Sequence, residues 1–261
     1  MVILKIGFMM KNNFKIIVPV YNAEQWIGRC LESIVEQDYD NYSAIVIDDH
    51  STDSTWDIIK KFDIESHRNY QRVGSALANI VQGIYRISNN KNDIIVTVDG
   101  DDYLADNNVL SYLNEVYQPE VWMTYGSFLP LSGKYKNTCQ DLSHTHTFDD
   151  NGEHLYSHLT PSTYRKSGVW VTSHLRTFKR WLWDKIDDND LRDENGEYFK
   201  IAGDLSYMYS LIEMAGSHVR FIDKILYMYN DLNPNCDGTV NPKLQINTGK
   251  YIQSKKQYTE L

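Results

Sequence analysis

Four consecutive residues in the middle of the sequence could bind a metal ion: Asp99, Gly100, Asp101 and Asp102. Carboxylates this close together repel one another, so folding them costs free energy unless a cation neutralises them. Carboxylate oxygens suit Mg²⁺ or Mn²⁺, which often complete their coordination with substrate phosphates. Glycine at position 100 permits unusual backbone conformations and lets a ligand approach closely. The alternative interpretation of these four residues is a solvated acidic turn.

A second polar segment, residues 48–53, has the sequence DDHSTD. Its serine and aspartates are typical of a strand-to-helix loop in which side chains cap the helix. A functional interpretation is also open, in which one carboxylate accepts a hydrogen bond from the edge of a nucleobase.

Both segments follow apolar runs that predict buried strands. These runs, rich in β-branched residues, cover residues 15–20, 43–48 and 93–98. The intervening residues 23–37, 54–62 and 74–87 have helical apolar spacing. Alternating strands and helices indicate a parallel sheet, and ligands bind beyond the carboxyl ends of such strands. The polar residues 21–22, 48–49 and 99–102 fall at these ends.

Beyond residue 122 the pattern is less regular. Residues 121–128 predict a strand, residues 134–167 a long loop region, and residues 217–229 an extended segment. Residues 169–183 and 205–215 are predicted to be helical or mixed. The spacing of His144, His146, His154 and His158 matches no zinc site, so they are interpreted as loop residues.

Taken together, the motifs resemble those of the inverting family 2 glycosyltransferases, which have the GT-A fold. Residues 18–22 (VPVYN) resemble the family's opening strand and turn, and residues 48–53 its DDGSTD segment, with His50 in place of glycine. Residues 74–79 are similar to its G-x-S-x-A-R-N segment, with Leu77 and Ala78 where Ala-Arg is usual. Residues 99–102 resemble its DxD motif. The resemblance covers residues 15–127.

The resemblance implies an α/β fold: a GT-A-like (Rossmann-like), mostly parallel sheet flanked by helices, with a C-terminal acceptor region. Residues 1–13 would form an N-terminal extension or edge strand. Residues 14–127 would bind the nucleotide sugar, and residues 128–261 would form the acceptor-binding half of the same domain.

The resemblance also implies a reaction: metal-dependent transfer of a sugar, with inversion, from a nucleoside diphosphate sugar to a glycan or other hydroxyl acceptor. The donor would be UDP-linked and the metal Mn²⁺ or Mg²⁺. The implied nucleotide-binding residues are Pro19, Val20, Tyr21, Asn22, Asp49, Arg72, Gly74, Asn79, Asp99 and Gly100, and the implied metal ligands are Asp99, Asp101 and Asp102.

Individual roles follow from the same resemblance. Asp49 would hold the base, Asp99 the ribose or metal, and Asp101 the metal that bridges the diphosphate. The arginine missing near position 78 leaves one diphosphate contact unfilled, for which Arg72 or Arg68 is the predicted replacement.

Residues 201–204 (IAGD) resemble a late segment of the family in which an acidic residue is the general base. Asp204 is therefore the predicted catalytic base, which removes the acceptor's proton. The alternatives are an aspartate that only caps the following helix, or Glu213 as the base. His174 and Arg176 could face the sugar or diphosphate, although a structural role is equally open.

Composition narrows the class of protein. The net charge of −9 and pI near 5.3 argue against a protein that binds duplex nucleic acid. The three cysteines are widely spaced, which favours reduced thiols over a zinc site or a disulfide framework. No apolar run approaches the roughly 20 residues that span a bilayer, and the N-terminus lacks the features of a signal peptide, so we expect a soluble cytoplasmic protein.

Two other classes of function stay open. A nucleotidyltransferase would share the sheet and the metal carboxylates, but it normally has a glycine-rich basic loop after the first strand, which residues 19–28 lack. A non-catalytic nucleotide- or sugar-binding module would be favoured by loss of Asp101 or Asp204, and both are present.

Overall fold

The first four strands of the sheet alternate with helices. A computed structural model describes residues 11–134, 139–145, 147–148, 154–156, 158–234 and 241–261. The elements in chain order are β1 (Phe14–Val20), α1 (Ile27–Val35), β2 (Tyr42–Asp48), α2 (Thr55–Ile59), β3 (Glu65–Arg68), α3 (Ala76–Ile87) and β4 (Ile94–Thr97). β1 pairs in parallel with β2 and β4, and β2 with β3. The three strands predicted from apolar runs are confirmed, whereas the short polar β3 was not predicted.

The second part of the chain completes the same sheet. It contains β5 (Tyr103–Leu104), α4 (Val109–Val116), β6 (Met123–Pro130), β7 (Thr147–Phe148), β8 (His154–Tyr156), α5 (Pro161–Tyr164), β9 (Arg176–Lys179), α6 (Arg180–Trp183), α7 (Gly203–Ala215), β10 (Val219–Tyr229) and α8 (Pro242–Ser254). β7 and β8 form a separate antiparallel pair. The predicted strand at 121–128 and the predicted helix at 205–215 are confirmed, but α4 and α8 were not predicted.

The eight-stranded sheet has the order β3-β2-β1-β4-β9-β6-β10-β5. β9 is antiparallel to both β4 and β6, and β5 is antiparallel to β10, while the remaining pairs are parallel. Although residues 169–183 were predicted to be helical or mixed, they contain β9 followed by the single turn of α6. The insertion of β9 joins the two halves of the chain in one sheet, as the GT-A-like prediction requires.

Helices cover both faces of the sheet, because alternate residues of each strand point to opposite sides. Ile16 and Val18 of β1 belong to an apolar cluster with α1 and α4, whereas Ile17 belongs to a second cluster with α3 and α7. The result is a three-layer α/β arrangement. In the described part of the chain, no helix combines the length and apolar character needed to cross a membrane.

A buried ion pair fixes the C-terminal segment against α7. Arg165 donates from Nε and Nη2 to the two carboxylate oxygens of Glu213, at 2.7 and 2.8 Å, and both side chains are 1% exposed. Glu213 also accepts hydrogen bonds from the Tyr258 backbone N–H at 3.0 Å and from Gln257 Nε2 at 3.1 Å. Its carboxylate is therefore fully engaged in structural contacts and cannot serve as the alternative general base.

We expect Arg165→Met to lower the free energy of unfolding by about 3–5 kcal/mol, because it leaves a buried carboxylate without its counter-charge. Denaturant unfolding measures this loss. The matched control is Lys60→Met, which removes the exposed ion pair with Asp57 and should cost much less. Equal losses in the two variants would contradict a dominant role for the buried pair.

Candidate active site

A cleft of about 670 Å³ lies where β1, β2 and β4 end. Its walls contain all the residues that the sequence assigned to nucleotide binding, metal binding or catalysis: Pro19, Val20, Tyr21, Asn22, Asp49, Arg72, Gly74, Asn79, Asp99, Gly100, Asp101, Asp102 and Asp204. The fold thus brings together residues that are up to 185 positions apart, from 19 to 204. This shared location is what a single binding site requires, and the individual roles stay predictions.

Hydrogen bonds of the DDHSTD segment tie the loop after β2 to the loop after β1. The backbone N–H of Asn22 donates to Ser51 Oγ at 2.9 Å, and that of Glu24 donates to Asp53 Oδ2 at 3.2 Å. The backbone N–H of Thr52, in the loop after β2, donates in the other direction to Asn22 Oδ1 at 2.8 Å. Among residues 48–53, only Asp49 lines the cleft. Most of this motif therefore shapes the loops, in agreement with the structural interpretation.

His50 takes up a backbone conformation that favours glycine. Its φ is +62°, in the left-handed region that a side chain normally disfavours. Its Nδ1 lies 3.1 Å from the carbonyl oxygen of Asn69, a contact that anchors the ring. The glycine of the family's DDGSTD segment thus has a conformational reason. This chain meets the same backbone requirement with a histidine.

Asp49 organises one end of the cleft. Its carboxylate accepts hydrogen bonds from Asn69 Nδ2 at 2.9 Å and from the backbone N–H groups of Val73 and Gly74 at 2.8 and 2.7 Å. Oδ2 accepts one of these bonds, the one from Gly74. A carboxylate oxygen has two lone pairs, so Oδ2 can accept a further hydrogen bond from a ligand.

Beside Asp49, the guanidinium of Arg72 lies 3.9 Å from the ring centroid of Tyr21. Both residues line the cleft, and a flat ring stacked with a cation is a suitable surface for a planar ligand. The other arginine considered from the sequence, Arg68, does not line the cleft. It donates to the carbonyl oxygen of Ser51 at 2.5 Å and pairs with Asp48, so its role is to hold the loop after β2.

Gly100 is required by packing. The Cβ of any other residue here would lie 2.6 Å from both Cβ and Cγ2 of Val20, far inside contact distance. The backbone N–H of Gly100 also donates to the carbonyl oxygen of Pro19 at 3.1 Å. Its φ is not positive, so the expectation of an unusual backbone conformation was wrong. Close approach to the end of β1 is the physical reason for this glycine.

The acidic turn concentrates negative charge, and its last residue is buried. Asp102 is 1% exposed and accepts hydrogen bonds from the Tyr227 hydroxyl and the Asn230 backbone N–H, both at 2.7 Å. Burial, followed by the charges of Asp101 and Asp99, raises the pKa of Asp102 well above its usual value. Burial also raises the pKa of Asp101, although Asn233 Nδ2 donates to it at 2.7 Å. A bound cation would relieve this accumulation of negative charge.

His174 brings a nitrogen ligand to the same place. Ligand atoms of Asp99, Asp102 and His174 lie within 4.8 Å of one another. His174 is 5% exposed and its Nδ1 has no hydrogen-bond partner among the described residues. Burial and the nearby charge of Arg176 lower its pKa well below the usual value, so the imidazole is neutral, the form that binds metals. Two carboxylates and an imidazole fit Mn²⁺. Residue spacing alone did not mark this histidine as a metal ligand.

Asp204 lines the cleft at the start of α7. Its Oδ2 accepts a hydrogen bond from Arg176 Nη2 at 2.8 Å, and its side chain is 26% exposed. The same Nη2 lies 3.2 Å from Nε2 of His174. The close approach of α7 to α3 needs Gly203, where a Cβ would lie 2.8 Å from Cβ of Leu77. The guanidinium of Arg176 therefore contacts both the partly exposed carboxylate of Asp204 and the imidazole of His174, which lies beside the acidic turn.

Several cleft residues had no sequence signal. They are Phe199, Lys200, Tyr207, Tyr229, Asn233, Asn241 and Gln245.

Other residues considered from the sequence lie elsewhere: Trp170, Trp181 and Trp183 pack in or against the second apolar cluster, away from the cleft lining. Cys30 and Cys139 are buried and are not joined in a disulfide, whereas Cys236 and His146 lie outside the described residues.

The chain matches the model of a known protein family, "Glycosyl transferase family 2", over residues 15–190. Among curated proteins it is similar to the glycosyltransferase GlyA of Streptococcus pneumoniae, with 25% identity over 85% of this chain. The chain spans 31% of the length of GlyA.

Two solved structures share the fold. One is Staphylococcus aureus TarS 1–349 in complex with UDP-GlcNAc, with a TM-score of 0.58 and 18% identity over 84% of this chain and 58% of that chain. The other is the mannosyltransferase PcManGT of Pyrobaculum calidifontis in complex with GDP-Man and Mn²⁺, with a TM-score of 0.60 and 16% identity over 95% of this chain and 66% of that chain. At this identity the likeness concerns the fold alone, and it confirms the GT-A-like arrangement.

We expect Gly100→Ala to lower the free energy of unfolding by about 1–3 kcal/mol, the usual cost of overpacking, because its methyl group would overlap Val20. The comparison is Gly28→Ala in α1, where the new Cβ would meet Ile58 at an ordinary 3.8 Å and alanine favours the helix. Denaturant unfolding of both variants provides the test. A Gly100→Ala protein as stable as Gly28→Ala would show that the turn can shift away from β1.

Proposed function

The chain belongs to glycosyl transferase family 2, and on this basis we propose that it transfers a sugar from a nucleoside diphosphate sugar to a hydroxyl acceptor with inversion at the anomeric carbon. The observation that carries the proposal is that Asp204 and the acidic turn line one cleft, linked by Arg176 and His174. Inversion needs a base on one side of the reacting carbon and a stabilised leaving group on the other. The cleft offers both groups, a carboxylate and a candidate metal site.

The donor in this proposal is UDP-linked, and its base lies at the end of the cleft formed by Asp49, Tyr21 and Arg72. Oδ2 of Asp49 accepts the imide N–H of uracil, while the ring of Tyr21 offers an apolar face to the base. The fold shared with a structure that holds UDP-GlcNAc supports this donor. The structure that holds GDP-Man makes a guanine nucleotide the comparison to include in any test.

The metal in this proposal is Mn²⁺ or Mg²⁺, held by Asp99, Asp101 and Asp102 together with His174. The unpartnered Nδ1 of His174 and the raised pKa values of Asp101 and Asp102 support it. When bound, such a cation supplies a Lewis acid that stabilises negative charge on the departing diphosphate. The carboxylates and the imidazole would fix its position at the end of β4.

The base in this proposal is Asp204. Its carboxylate accepts the proton of the acceptor hydroxyl while the acceptor oxygen forms its bond to the anomeric carbon. The bond between that carbon and the diphosphate oxygen breaks, and its electron pair leaves with the diphosphate. The partial exposure of Asp204 leaves room for an acceptor, and Arg176 fixes the orientation of the carboxylate.

Nucleotide binding should depend on the metal. We expect the affinity for UDP, measured by calorimetry with Mn²⁺, to fall at least about tenfold when EDTA replaces the metal and in Asp101→Ala, as expected for loss of a charge-assisted contact. The exposed Glu36→Gln should bind UDP as the unchanged protein does. Equal affinity with and without Mn²⁺ would refute the metal's role, and parallel titrations with GDP test the choice of base.

Asp204 should be needed for chemistry and not for donor binding. We expect Asp204→Asn to retain its UDP affinity, while release of nucleotide from a panel of nucleotide sugars with Mn²⁺ slows by about 10²–10⁴-fold, as for loss of a general base. Glu194→Gln, which removes an exposed carboxylate from the neighbouring acidic segment, is the control and should keep its rate. Near-normal turnover in Asp204→Asn would assign the base to another residue.

A further inference from the structure

The cleft holds more negative than positive side chains. Five carboxylates line it: Asp49 after β2, Asp99, Asp101 and Asp102 after β4, and Asp204 in α7. Three cations oppose them: Arg72, Arg176 and Lys200. A nucleoside diphosphate is itself an anion, so the position of each cation decides where its phosphates can be accommodated.

Two of the three cations are exposed, and neither has a described contact with the acidic turn. Arg72 is exposed and stacks on Tyr21, and the two residues that follow it donate to Asp49, so it is grouped with the residues around Asp49. Lys200 is an exposed side chain, and screening by water weakens its effect. Arg176, in contrast, lies 3.2 Å from His174 Nε2, and His174 groups with Asp99 and Asp102.

Arg176 also has unused hydrogen-bonding capacity. Its side chain is 6% exposed, and Nη2 makes its contacts with Asp204 and His174. Nε is buried without a partner among the described residues, and a buried donor left unpaired is costly. An arginine with an unpaired N–H beside a candidate metal site is suited to phosphate recognition.

We infer that Arg176 binds the diphosphate of the donor and that its contact with Asp204 sets the distance between the leaving group and the base. This inference rests on the proposed function. In the reaction, the electron pair of the broken bond adds charge to the diphosphate beside Arg176, while the acceptor proton moves to Asp204. Arg176, rather than Arg72 or Arg68, then makes the diphosphate contact for which the family uses an arginine where this chain has Ala78.

The test separates phosphate contacts from base contacts. Calorimetric titrations in Mn²⁺ compare UMP, UDP and inorganic pyrophosphate on Arg176→Gln, Arg176→Lys and the matched cleft variant Arg72→Gln, with thermal unfolding to confirm that each variant is folded. For Arg176→Gln we expect UDP and pyrophosphate affinity to fall about 10–100-fold, the loss of a charged hydrogen-bond partner, and UMP affinity to fall much less. Arg176→Lys keeps the charge without the planar donors, so its affinity for UDP and pyrophosphate should lie between those of Arg176→Gln and the unchanged protein.

Arg72→Gln should instead weaken UMP and UDP equally and leave pyrophosphate binding unchanged. Unchanged UDP and pyrophosphate affinity in both Arg176 variants, or equal losses for UMP and UDP, would overturn the inference while leaving the proposed function in place. If the unchanged protein bound neither UDP nor GDP, the proposed function would fail at the first step. Because pyrophosphate has no base, its titrations test Arg176 whichever nucleotide the donor contains.

Discussion

The accumulation of negative charge at the end of β4 is the constraint on which the rest of the site depends. Asp99, Asp101 and Asp102 share one turn, and Asp102 is almost completely buried. The Tyr227 hydroxyl accepts the backbone N–H of Asp99 at 3.1 Å and donates to Asp102. Tyr227 lies in β10, which β9 and β6 separate from β4 in the sheet. The hydrogen bonds of the acidic turn therefore depend on the pairing of strands that are distant in the sequence.

The floor of the cleft was predictable because its signals are local. Apolar β-branched runs identified β1, β2 and β4, and the rule that ligands bind at carboxyl ends of parallel strands placed Asp49 and the acidic turn together. The DDHSTD segment was harder to interpret, since most of its polar atoms bond to neighbouring loops. A single sequence does not distinguish a side chain that ties two loops, such as Ser51, from one that faces a ligand, such as Asp49.

For the same reason, the sequence named His174 and Arg176 as candidates but could not decide between a functional and a structural role for them. His174 lies just before β9, and Arg176 is its first residue. β9 has only four residues, RTFK, which are too few to show a period. Their contacts arise from pairing across the sheet, where Arg176 is in register with Thr97 at the end of β4. β3 escaped prediction because an edge strand can be polar throughout, as ESHR is. These features depend on residues far apart in the sequence.

The insertion of β9 also sets the order in which the protein can fold. β4 has β1 and β9 as neighbours, and β6 has β9 and β10. A chain that ended near residue 127 would leave one edge of β4 without a partner and β6 without any neighbour. Open strand edges promote association between chains, and pairings that wait for distant sequence are slow to form. During synthesis, β4 therefore keeps an open edge until β9 emerges, and a chaperone that covered this edge would limit aggregation.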